Sequence, residues 1–454
     1  MASARLNAAE SLGSDPVLPA GFPTPYTIRR MQRRAWLKWA AAAPVYAAIA
    51  AREVASAMAA TASARGSSDV YRRLGVRPFI NARGTWTYLS GSLELPEVRR
   101  AMDDAAQHFV DIFELQQAAG RKLAQLSGAE SGMVTSGAAG AMAAATAGCM
   151  AGTDPQKVWQ LPDTTGMKNE VVMLGGRSAF DSAIRLTGAK LVVVGSVDDL
   201  AAATTDHTAM VYTTWLGDRL QQALAITKKA GVPLLLDDAA GIPPIGNLAS
   251  YARMGIDLFC FSGGKGLCGP QCSGILLGRK DLIESALAQC SPWEGAVCRA
   301  MKVGKEEIVG VITAVETWTR LDLATLNKLW SRRVERIARL VETVPGVTTD
   351  IAIPEGGNSY PTLTVSWDEQ TFGFTVADCD RELRAGEPRI EVLTSSNPSF
   401  VPAAYEGMQP GRKPTVRRAD RLQIISMTMK DGEELIVGRR LRDILSAASR
   451  KAKA

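Results

Sequence analysis

The sequence predicts an α/β fold in which a large, mostly parallel sheet of seven strands is followed by a smaller α+β domain. Two observations carry this prediction. Short apolar runs alternate with helix-like stretches between residues 131 and 278, which is the spacing of βαβ units. After residue 347 the pattern changes to strand-like pieces and a closing helix. The predicted organisation is an N-terminal extension over 1–66, a large domain over 67–320 and a small C-terminal domain over 321–454.

The large domain begins with an entry segment that holds a short strand, and Pro96 then opens a helix, since the fixed φ of proline suits the first helical turn. Runs such as LVVV and PLLLD are uniformly apolar, as expected when helices cover both faces of a parallel sheet. Helices are expected at 137–150 and 218–230, and a longer helical region at 304–346. The seven expected strands lie at 131–135, 170–174, 191–194, 209–213, 233–237, 257–262 and 274–278.

The small domain is predicted from three strand-like pieces and one helix. The pieces read PTLTVSW, RIEVLT and LQIISMTM, and the closing helix runs from Asp431 onward. Their β-branched and aromatic residues are typical of strands. These elements predict that the small C-terminal domain has a mixed α+β structure.

The composition, with 46% hydrophobic and 22% charged residues in a chain of 454, fits an ordinary folded protein and excludes disorder of the whole chain. Its net charge of +6 lies at the two ends. The first 38 residues carry six basic side chains against two acidic ones, and the last five residues carry three more basic ones. The remaining body is nearly neutral and lacks the basic face that nucleic-acid binding requires, so no nucleic-acid partner is expected.

The chain has seven cysteines, mostly in apolar or glycine-rich surroundings, and this pattern does not indicate a disulfide framework. The Cys268/Cys272 spacing has no second pair, and the two histidines, His108 and His207, are far apart in sequence. No metal site is therefore expected.

The N-terminal extension carries the features of an export signal. From Met31 it reads MQRRAWLKWAAAAPVYAAIAAREVASAMAATASA, with a twin arginine, a weakly hydrophobic run and small residues in A-x-A order. This order is typical of twin-arginine signals. The run at 39–51 is too short to span a hydrocarbon core of about 30 Å, so no stable membrane insertion is expected. The prediction is a periplasmic protein, and the alternative is a cytoplasmic protein with an alanine-rich arm.

Two charged residues follow neighbouring predicted strands. Asp237 ends the run VPLLLD, and Lys265 follows DLFCFS among Gly263, Gly264 and Gly266. Because ligands bind at the carboxyl ends of strands in such sheets, both residues would face one crevice. A carboxylate with little water around it needs a cationic or protonated partner. The glycines are expected to allow unusual backbone angles and the approach of a bulky planar group.

The stretch VTSGAAGAM at 134–142 supplies the third part of this site. A strand ends here and a helix begins with unoccupied backbone N–H groups, which makes an anion site. A phosphate on a helix N-terminus, a lysine amine and a buried aspartate together describe a pocket for pyridoxal phosphate. In that pocket the lysine bonds to the aldehyde carbon and the aspartate keeps the pyridine nitrogen protonated.

The segments around these residues resemble a known family. SGGKGLCGPQCSGILLGRKDLI, preceded by VPLLLDDAAGIPPIGNL, is similar to the selenocysteine-synthase-like group of fold-type I pyridoxal-phosphate enzymes. LGVRPFINARGTWT and FELQQAAGRKLAQLSGAESGMVTSGAAGAM extend the resemblance, which spans most of residues 70–445. The pattern is closer to D-glucosaminate-6-phosphate ammonia-lyase than to L-seryl-tRNA selenium transferase.

This resemblance implies roles for individual residues. Lys265 would hold the cofactor covalently and move protons at the substrate α-carbon, Asp237 would pair with the pyridine nitrogen, and Ala239 would lie against the ring. The phosphate would be held by Ser136, Gly137, Ala138 and Ser262. Substrate binding would fall to four basic residues: Arg177, with a surface arginine as the alternative, Arg299, Lys302, and Arg389 as the partner of the substrate carboxylate.

The expected activity is that of a pyridoxal-phosphate-dependent lyase on a small amino acid or amino sugar acid, in which α-proton abstraction precedes β-elimination and deamination. A racemase or an aminotransferase with the same cofactor remains open, as does selenium or sulfur transfer on aminoacyl-tRNA. A non-catalytic scaffold is disfavoured because Asp237 and Lys265 are both present. The expected partners are a small-molecule amino acid substrate and, as the resemblance implies, further copies of the chain in a dimer or higher homo-oligomer.

Overall fold

The computed structural model describes residues 68–394 and 421–452. The chain divides into two compact units, Met1–Pro78 and Phe79–Ala454. The described part of the first unit contains helix α1 (Ser68–Arg73), and the expected export signal lies outside the described residues. Within the described ranges no helix is long and apolar enough to cross a membrane.

The second unit contains twelve strands and fourteen further α-helices within its described residues. In chain order they are β1 (Phe79–Ala82), α2 (Pro96–Ala105), α3 (Ile112–Ser127), β2 (Ser131–Thr135), α4 (Gly137–Ala151), α5 (Pro155–Gln160), β3 (Glu170–Leu174), α6 (Ser182–Arg185), β4 (Lys190–Val194), α7 (Leu200–Ala203), β5 (Thr208–Thr213), α8 (Asp218–Ala230), β6 (Leu234–Asp237), α9 (Asn247–Met254), β7 (Leu258–Ser262), β8 (Gly274–Gly278), α10 (Lys280–Ala288), α11 (Lys305–Trp318), α12 (Leu323–Val341), β9 (Val347–Ala352), β10 (Thr362–Trp367), α13 (Glu369–Phe372), α14 (Val376–Ala385), β11 (Arg389–Thr394), β12 (Leu422–Ile425) and α15 (Glu433–Lys451).

The larger sheet has seven strands in the order β2-β8-β7-β6-β5-β3-β4. Strand β8 runs antiparallel to both of its neighbours, and the other pairings are parallel. All seven strands expected from the sequence are present, and their ends differ from the expected ones by at most one residue. The prediction of a mostly parallel seven-stranded sheet is confirmed.

Helical layers cover both faces of this sheet. Successive residues of a strand face opposite layers, so Met133 belongs to the core cluster that includes residues of α4 and α10, whereas Val134 belongs to the cluster that includes residues of α3 and α11. The alanine- and glycine-rich helix α4 comes close to its neighbour. A Cβ on Gly148 would lie 2.8 Å from the backbone nitrogen of Ala286 in α10. Burial on both faces explains why the strands read as continuous apolar runs.

The smaller sheet has the order β1-β11-β12-β10-β9 and packs against α12, α14 and α15. Strand β1 pairs parallel with β11, so part of the entry segment that the sequence analysis placed in the 67–320 domain joins this sheet. The two paired strands are about three hundred residues apart in sequence, so no local sequence pattern predicts their pairing. Strand β9 was not predicted, because half of its sequence VTTDIA is polar and it lies largely exposed on the sheet edge. The other domain boundaries stay a prediction.

A loop of the smaller sheet reaches the carboxyl edge of the larger one. Residues 353–361 connect β9 to β10, and in this loop the backbone N–H of Asn358 donates a 2.9 Å hydrogen bond to the carbonyl of Ala240, just after β6. Tyr360 of the same loop is buried and packs with Trp330 in the core beneath the larger sheet. The loop is therefore fixed over the strand ends where the sequence places Asp237.

Candidate active site

A cavity of about 700 Å³ opens at the carboxyl ends of β5, β6 and β7. The N-terminus of α4 forms one wall, and the loop between β9 and β10 forms another. The lining comprises residues 85, 87, 91, 137–139, 142, 178, 180, 212, 214–216, 219, 237–240, 262, 264, 265, 271 and 355–357. Parallel strands of an open α/β sheet place ligands at this edge.

Asp237 is the last residue of β6, and hydrogen bonds fix its carboxylate. The hydroxyl of Tyr212 donates to Oδ2 at 2.9 Å, and the backbone N–H of Ala239 donates to Oδ1 at 3.1 Å. Burial, together with the charge of Asp237, raises the pKa of Tyr212, so this hydroxyl stays protonated and acts as a donor. These two hydrogen bonds fix the orientation of the Asp237 carboxylate, which faces the cavity.

Asp238 is buried beside it and has a different environment. The hydroxyl of Tyr251 donates a 2.7 Å hydrogen bond to its Oδ2, and burial raises the pKa of this carboxyl group. The ring of Tyr251 stacks on Phe261 of β7 at a centroid distance of 5.9 Å. Asp238 is thus held by Tyr251 of the aromatic core. Asp237 instead accepts hydrogen bonds from Tyr212 of the preceding strand β5 and from the turn that follows β6, and the Cys260 thiol of β7 lies 3.8 Å from its Oδ1.

Lys265 lies half-buried in the turn between β7 and β8 and lines the cavity. Burial lowers the pKa of its amine, and the charge of Asp237 opposes that shift. A lowered pKa raises the fraction of neutral amine, which is the form that attacks a carbonyl carbon. The site therefore combines a lysine of increased nucleophilicity with a neighbouring fixed carboxylate.

The glycines around Lys265 are required for a reason other than the expected one. Gly263, Gly264 and Gly266 all lack positive φ angles. A Cβ on Gly264 would instead clash with the Cα of Gln271, and a Cβ on Gly266 would clash with the carbonyl of Ile242. The expectation of unusual backbone angles here is wrong, because close backbone packing of the turn is what excludes side chains.

The N-terminus of α4 forms the anion-binding wall. Gly137 and Ala138 line the cavity, and Gly137 has a φ of +74°. The first turn contains no acidic residue, and Ser136 at the N-cap makes no side-chain capping bond. Ser262, at the end of β7, lines the same space. Backbone N–H groups at the start of a 15-residue helix, without a side-chain cap, suit a phosphate group.

Comparison with known proteins identifies this arrangement. The aminotransferase class-V model matches residues 95–309. A 5'-C-glycyluridine monooxygenase-decarboxylase from Streptomyces is 35% identical over 70% of the chain and 83% of the relative. The D-glucosaminate-6-phosphate ammonia lyase of Salmonella typhimurium is 30% identical over 71% of the chain and 88% of the relative. This chain belongs to the aminotransferase class-V family.

Further similarities agree with this assignment. A solved structure of D-glucosaminate-6-phosphate ammonia-lyase superposes with a TM-score of 0.68 at 28% identity, covering 84% of this chain and 99% of that one. An L-seryl-tRNA(Sec) selenium transferase from Moorella thermoacetica is 24% identical over 65% of the chain and 70% of the relative. The resemblance to the selenocysteine-synthase-like group is therefore confirmed, as is the fold-type I architecture.

Members of this family depend on pyridoxal phosphate, and the residues of the cavity fit that cofactor. The unoccupied N–H groups at Gly137 and Ala138 suit the phosphate, and the fixed carboxylate of Asp237 suits a protonated pyridine nitrogen. The amine of Lys265 suits the aldehyde carbon. The cofactor supplies an electron sink for bonds broken at the substrate α-carbon. The chain is a pyridoxal-phosphate-dependent enzyme.

Six of the predicted cofactor residues meet at this cavity: Gly137, Ala138, Asp237, Ala239, Ser262 and Lys265. Ser136 lies elsewhere, in a small separate cavity beside Gln116 and Cys290. The role of each side chain toward the cofactor remains a prediction from the resemblance.

The four predicted substrate-binding residues do not line the cavity. Arg177 forms an ion pair with the buried carboxylate of Asp181, although its neighbour Ser178 lies on the cavity wall. Arg299 begins a 3₁₀ turn, Arg299–Met301, and Lys302 follows it on the surface. The fourth residue, Arg389, lies in the smaller sheet.

The contacts of Arg389 are all within that sheet. Its Nε donates a 2.8 Å hydrogen bond to the buried carboxylate of Glu391, and its guanidinium carbon lies 5.3 Å from the centroid of the Phe79 ring. Arg384 also contacts Glu391, at 3.2 Å. This cluster joins strand β11 to β1 and to helix α14.

The cavity residues that sequence reasoning missed include Tyr212, Trp215, Arg219 and Glu355. The first three lie at or just after the carboxyl end of β5, so the rule that led to Asp237 and Lys265 would also have indicated them. Glu355 lies in the loop between β9 and β10, and only the tertiary fold brings it to the cavity.

Proposed function

We propose that this enzyme is a lyase that acts on a small amino acid or amino sugar acid, removing the α-proton and then eliminating a β-substituent with release of ammonia. The observation that carries the proposal is the convergence of Lys265, Asp237 and the N-terminus of α4 on one cavity. Lys265 is the base in this scheme. Its lowered pKa suits an amine that must accept a proton near neutral pH.

The surrounding residues support proton transfer at the α-carbon. The Asp237 carboxylate, held by Tyr212 and by the Ala239 N–H, keeps the ring nitrogen protonated and so favours withdrawal of electrons from that carbon. The loop at 355–357 and the half-buried Trp215 form part of the cavity wall. The similarity to an ammonia lyase supports elimination as the outcome.

The test is a product assay on the cofactor-loaded protein with a panel of D- and L-amino acids and amino sugar acids. The proposal expects equimolar ammonia and 2-keto acid, with the activity abolished in Lys265→Ala. Racemisation without release of ammonia would contradict the proposal and support the racemase alternative. Transfer of the amino group to a keto-acid acceptor would contradict it and support the aminotransferase alternative.

A second candidate function is oxidative decarboxylation. The observation that favours it is the 35% identity to a monooxygenase-decarboxylase, which exceeds the 30% identity to the ammonia lyase. The same assay separates the two candidates if oxygen uptake and carbon dioxide release are followed alongside ammonia. Decarboxylation would consume oxygen and release carbon dioxide, whereas elimination would do neither.

Selenium or sulfur transfer on aminoacyl-tRNA is the less favoured alternative. The body of the chain is nearly neutral, and tRNA binding requires a basic face. A filter-binding assay with tRNA at low salt tests it, and tight, salt-sensitive binding would support it.

We also propose export by the twin-arginine route and assembly into a homo-oligomer. The sequence around Arg33 and Arg34 supports export, and such transport moves folded proteins that already hold their cofactor. Fractionation of cells that express the wild type or the Arg33→Lys, Arg34→Lys variant tests export. A wild type confined to the cytoplasm would contradict it. Light scattering of the purified protein tests assembly.

A further inference from the structure

Arg219 lies at the mouth of the cavity and forms no ion pair within residues 68–394 and 421–452. It belongs to the first turn of α8, and its side chain is exposed. Its guanidinium carbon lies 4.9 Å from the centroid of the Trp215 ring. Arg177 and Arg389 differ from it in this respect, since each is bound to an acidic side chain. Arg219 thus keeps its hydrogen-bonding groups available to a ligand.

The position of Arg219 is fixed by a stack of three residues. A Cβ on Gly175 would lie 2.6 Å from Nε1 of Trp215, so the indole packs directly on bare backbone. The backbone N–H of Trp215 also donates a 3.0 Å hydrogen bond to the Thr213 hydroxyl. The guanidinium in turn packs on the indole, an interaction worth about 0.5–1 kcal/mol at an exposed site. This contact holds the exposed guanidinium beside the indole at the rim of the cavity.

The charged residues that line the cavity include one cation without a role in cofactor binding. Among the described lining residues, the cations are Lys265 and Arg219, and the anions are Asp237, Asp238 and Glu355. The amine of Lys265 is committed to the cofactor, and Asp237 to the pyridine nitrogen. An amino acid substrate also brings a carboxylate that must be bound inside this space. A planar guanidinium fork binds a carboxylate with two parallel hydrogen bonds.

We propose that Arg219, supported by Trp215, binds the carboxylate of the amino acid substrate. This inference rests on the proposed function, since it assumes that Lys265 holds the cofactor. It assigns the carboxylate to the strand-β5 side of the cavity, whereas Arg389 is bound to Glu391 in the smaller sheet. Glu355 at the same mouth repels a second anionic group, so the rim favours substrates with one carboxylate near the reacting carbon.

The experiment compares amino acids with their amides. Cofactor-loaded protein is titrated with D- and L-alanine and serine and with the matching alaninamides and serinamides, and the dissociation constants are read from the change in visible absorption. Arg219→Ala should weaken binding of the acids about ten- to hundredfold and leave the amides unchanged. Arg219→Lys should recover part of the loss, because an ammonium keeps the charge but not the fork.

Two further variants keep the test decisive. Trp215→Leu keeps the guanidinium of Arg219 but removes the indole that it packs on. This variant should weaken the binding of acids but not of amides, and by less than Arg219→Ala does. Arg253→Ala removes an exposed arginine of α9 outside the cavity lining and should change nothing.

Three outcomes separate this inference from the proposed function. The assignment of Arg219 is overturned if the wild type binds acids no more tightly than amides. It is also overturned if Arg219→Ala weakens the binding of acids and amides equally. A wild type that binds no pyridoxal phosphate overturns the proposed function, and this inference with it.

Discussion

The hydroxyl of Tyr212, at the end of β5, donates a 2.9 Å hydrogen bond to Oδ2 of Asp237, at the end of the neighbouring strand β6. One strand thus orients the carboxylate that the next strand supplies. Both side chains line the cavity that also contains Lys265. The parallel pairing of β5, β6 and β7 places these three groups together, because it brings the carboxyl ends of the three strands to the same edge.

Removal of this hydrogen bond should weaken cofactor binding. A hydrogen bond to a charged group is worth about 1.5 kcal/mol or more, so Tyr212→Phe should raise the dissociation constant for pyridoxal phosphate roughly tenfold. Fluorescence titration of cofactor-free protein measures it. Tyr251→Phe is the matched comparison, because it removes the same group from Asp238. Equal losses in both variants would contradict the special role of Asp237.

Lys265 should make the cofactor-free protein respond to pH in a defined direction. Burial lowers the pKa of its amine in the folded state below 10.5, the value of the unfolded chain. Between the two pKa values the unfolded state binds more protons, so the free energy of unfolding rises with pH. Below that window the buried charge destabilises the fold. Lys265→Met should therefore be more stable than the wild type at neutral pH.

The stability difference between Lys265→Met and the wild type should shrink as the pH approaches the unfolded value. Urea unfolding of both cofactor-free proteins across this range measures the difference. A gap that stays constant with pH would show that the lysine titrates normally, and that packing alone separates the two proteins.

The turn around Lys265 should not tolerate a side chain at Gly266. A Cβ there would clash with the carbonyl of Ile242, so Gly266→Ala should destabilise the protein by about 1–3 kcal/mol and impair cofactor binding. Gly195→Ala is the control, since a Cβ at Gly195 has no atom within 4 Å and its φ is not positive. It should change stability by less than about 0.5 kcal/mol. Similar unfolding midpoints in urea for the two variants would contradict the packing argument.

Arg389 should contribute to stability through Glu391. Arg389→Ala leaves a buried carboxylate with Arg384 as its remaining partner among the ion pairs described, at a cost of about 2 kcal/mol. Chemical denaturation should show this loss, while the dissociation constants of amino acids should stay at wild-type values. Unchanged stability with weakened binding of carboxylates would instead return the carboxylate role to Arg389.

Much of the larger domain could be predicted because its signals are local. Strands buried in a large sheet give uninterrupted apolar runs, and all seven strands of the larger sheet were placed within one residue of their ends. Asp237 and Lys265 could be paired before the fold was known, because each follows such a strand. The edge strand β9 gave no such signal, since half of its residues are polar and most are exposed.

The rest depends on contacts between distant parts of the chain. The pairing of Phe79–Ala82 with β11 joins segments that are far apart in sequence, and the arrival of Glu355 at the cavity depends on the loop between β9 and β10. Of the two reasons expected for the glycines beside Lys265, the unusual backbone angles are not observed, and the room for a planar group stays a prediction. Only the packing against Gln271 and Ile242 shows that space, and not φ, is the constraint.

Covalent binding of pyridoxal phosphate by Lys265 can be tested by reductive trapping. Protein loaded with pyridoxal phosphate is reduced with borohydride, which converts the carbon–nitrogen double bond to a stable single bond, and its peptides are analysed by mass spectrometry. The cofactor mass should be found on the peptide that contains Lys265, and Lys265→Ala should retain none. Cofactor attached to a different lysine in the wild type, or to no lysine, would contradict this prediction.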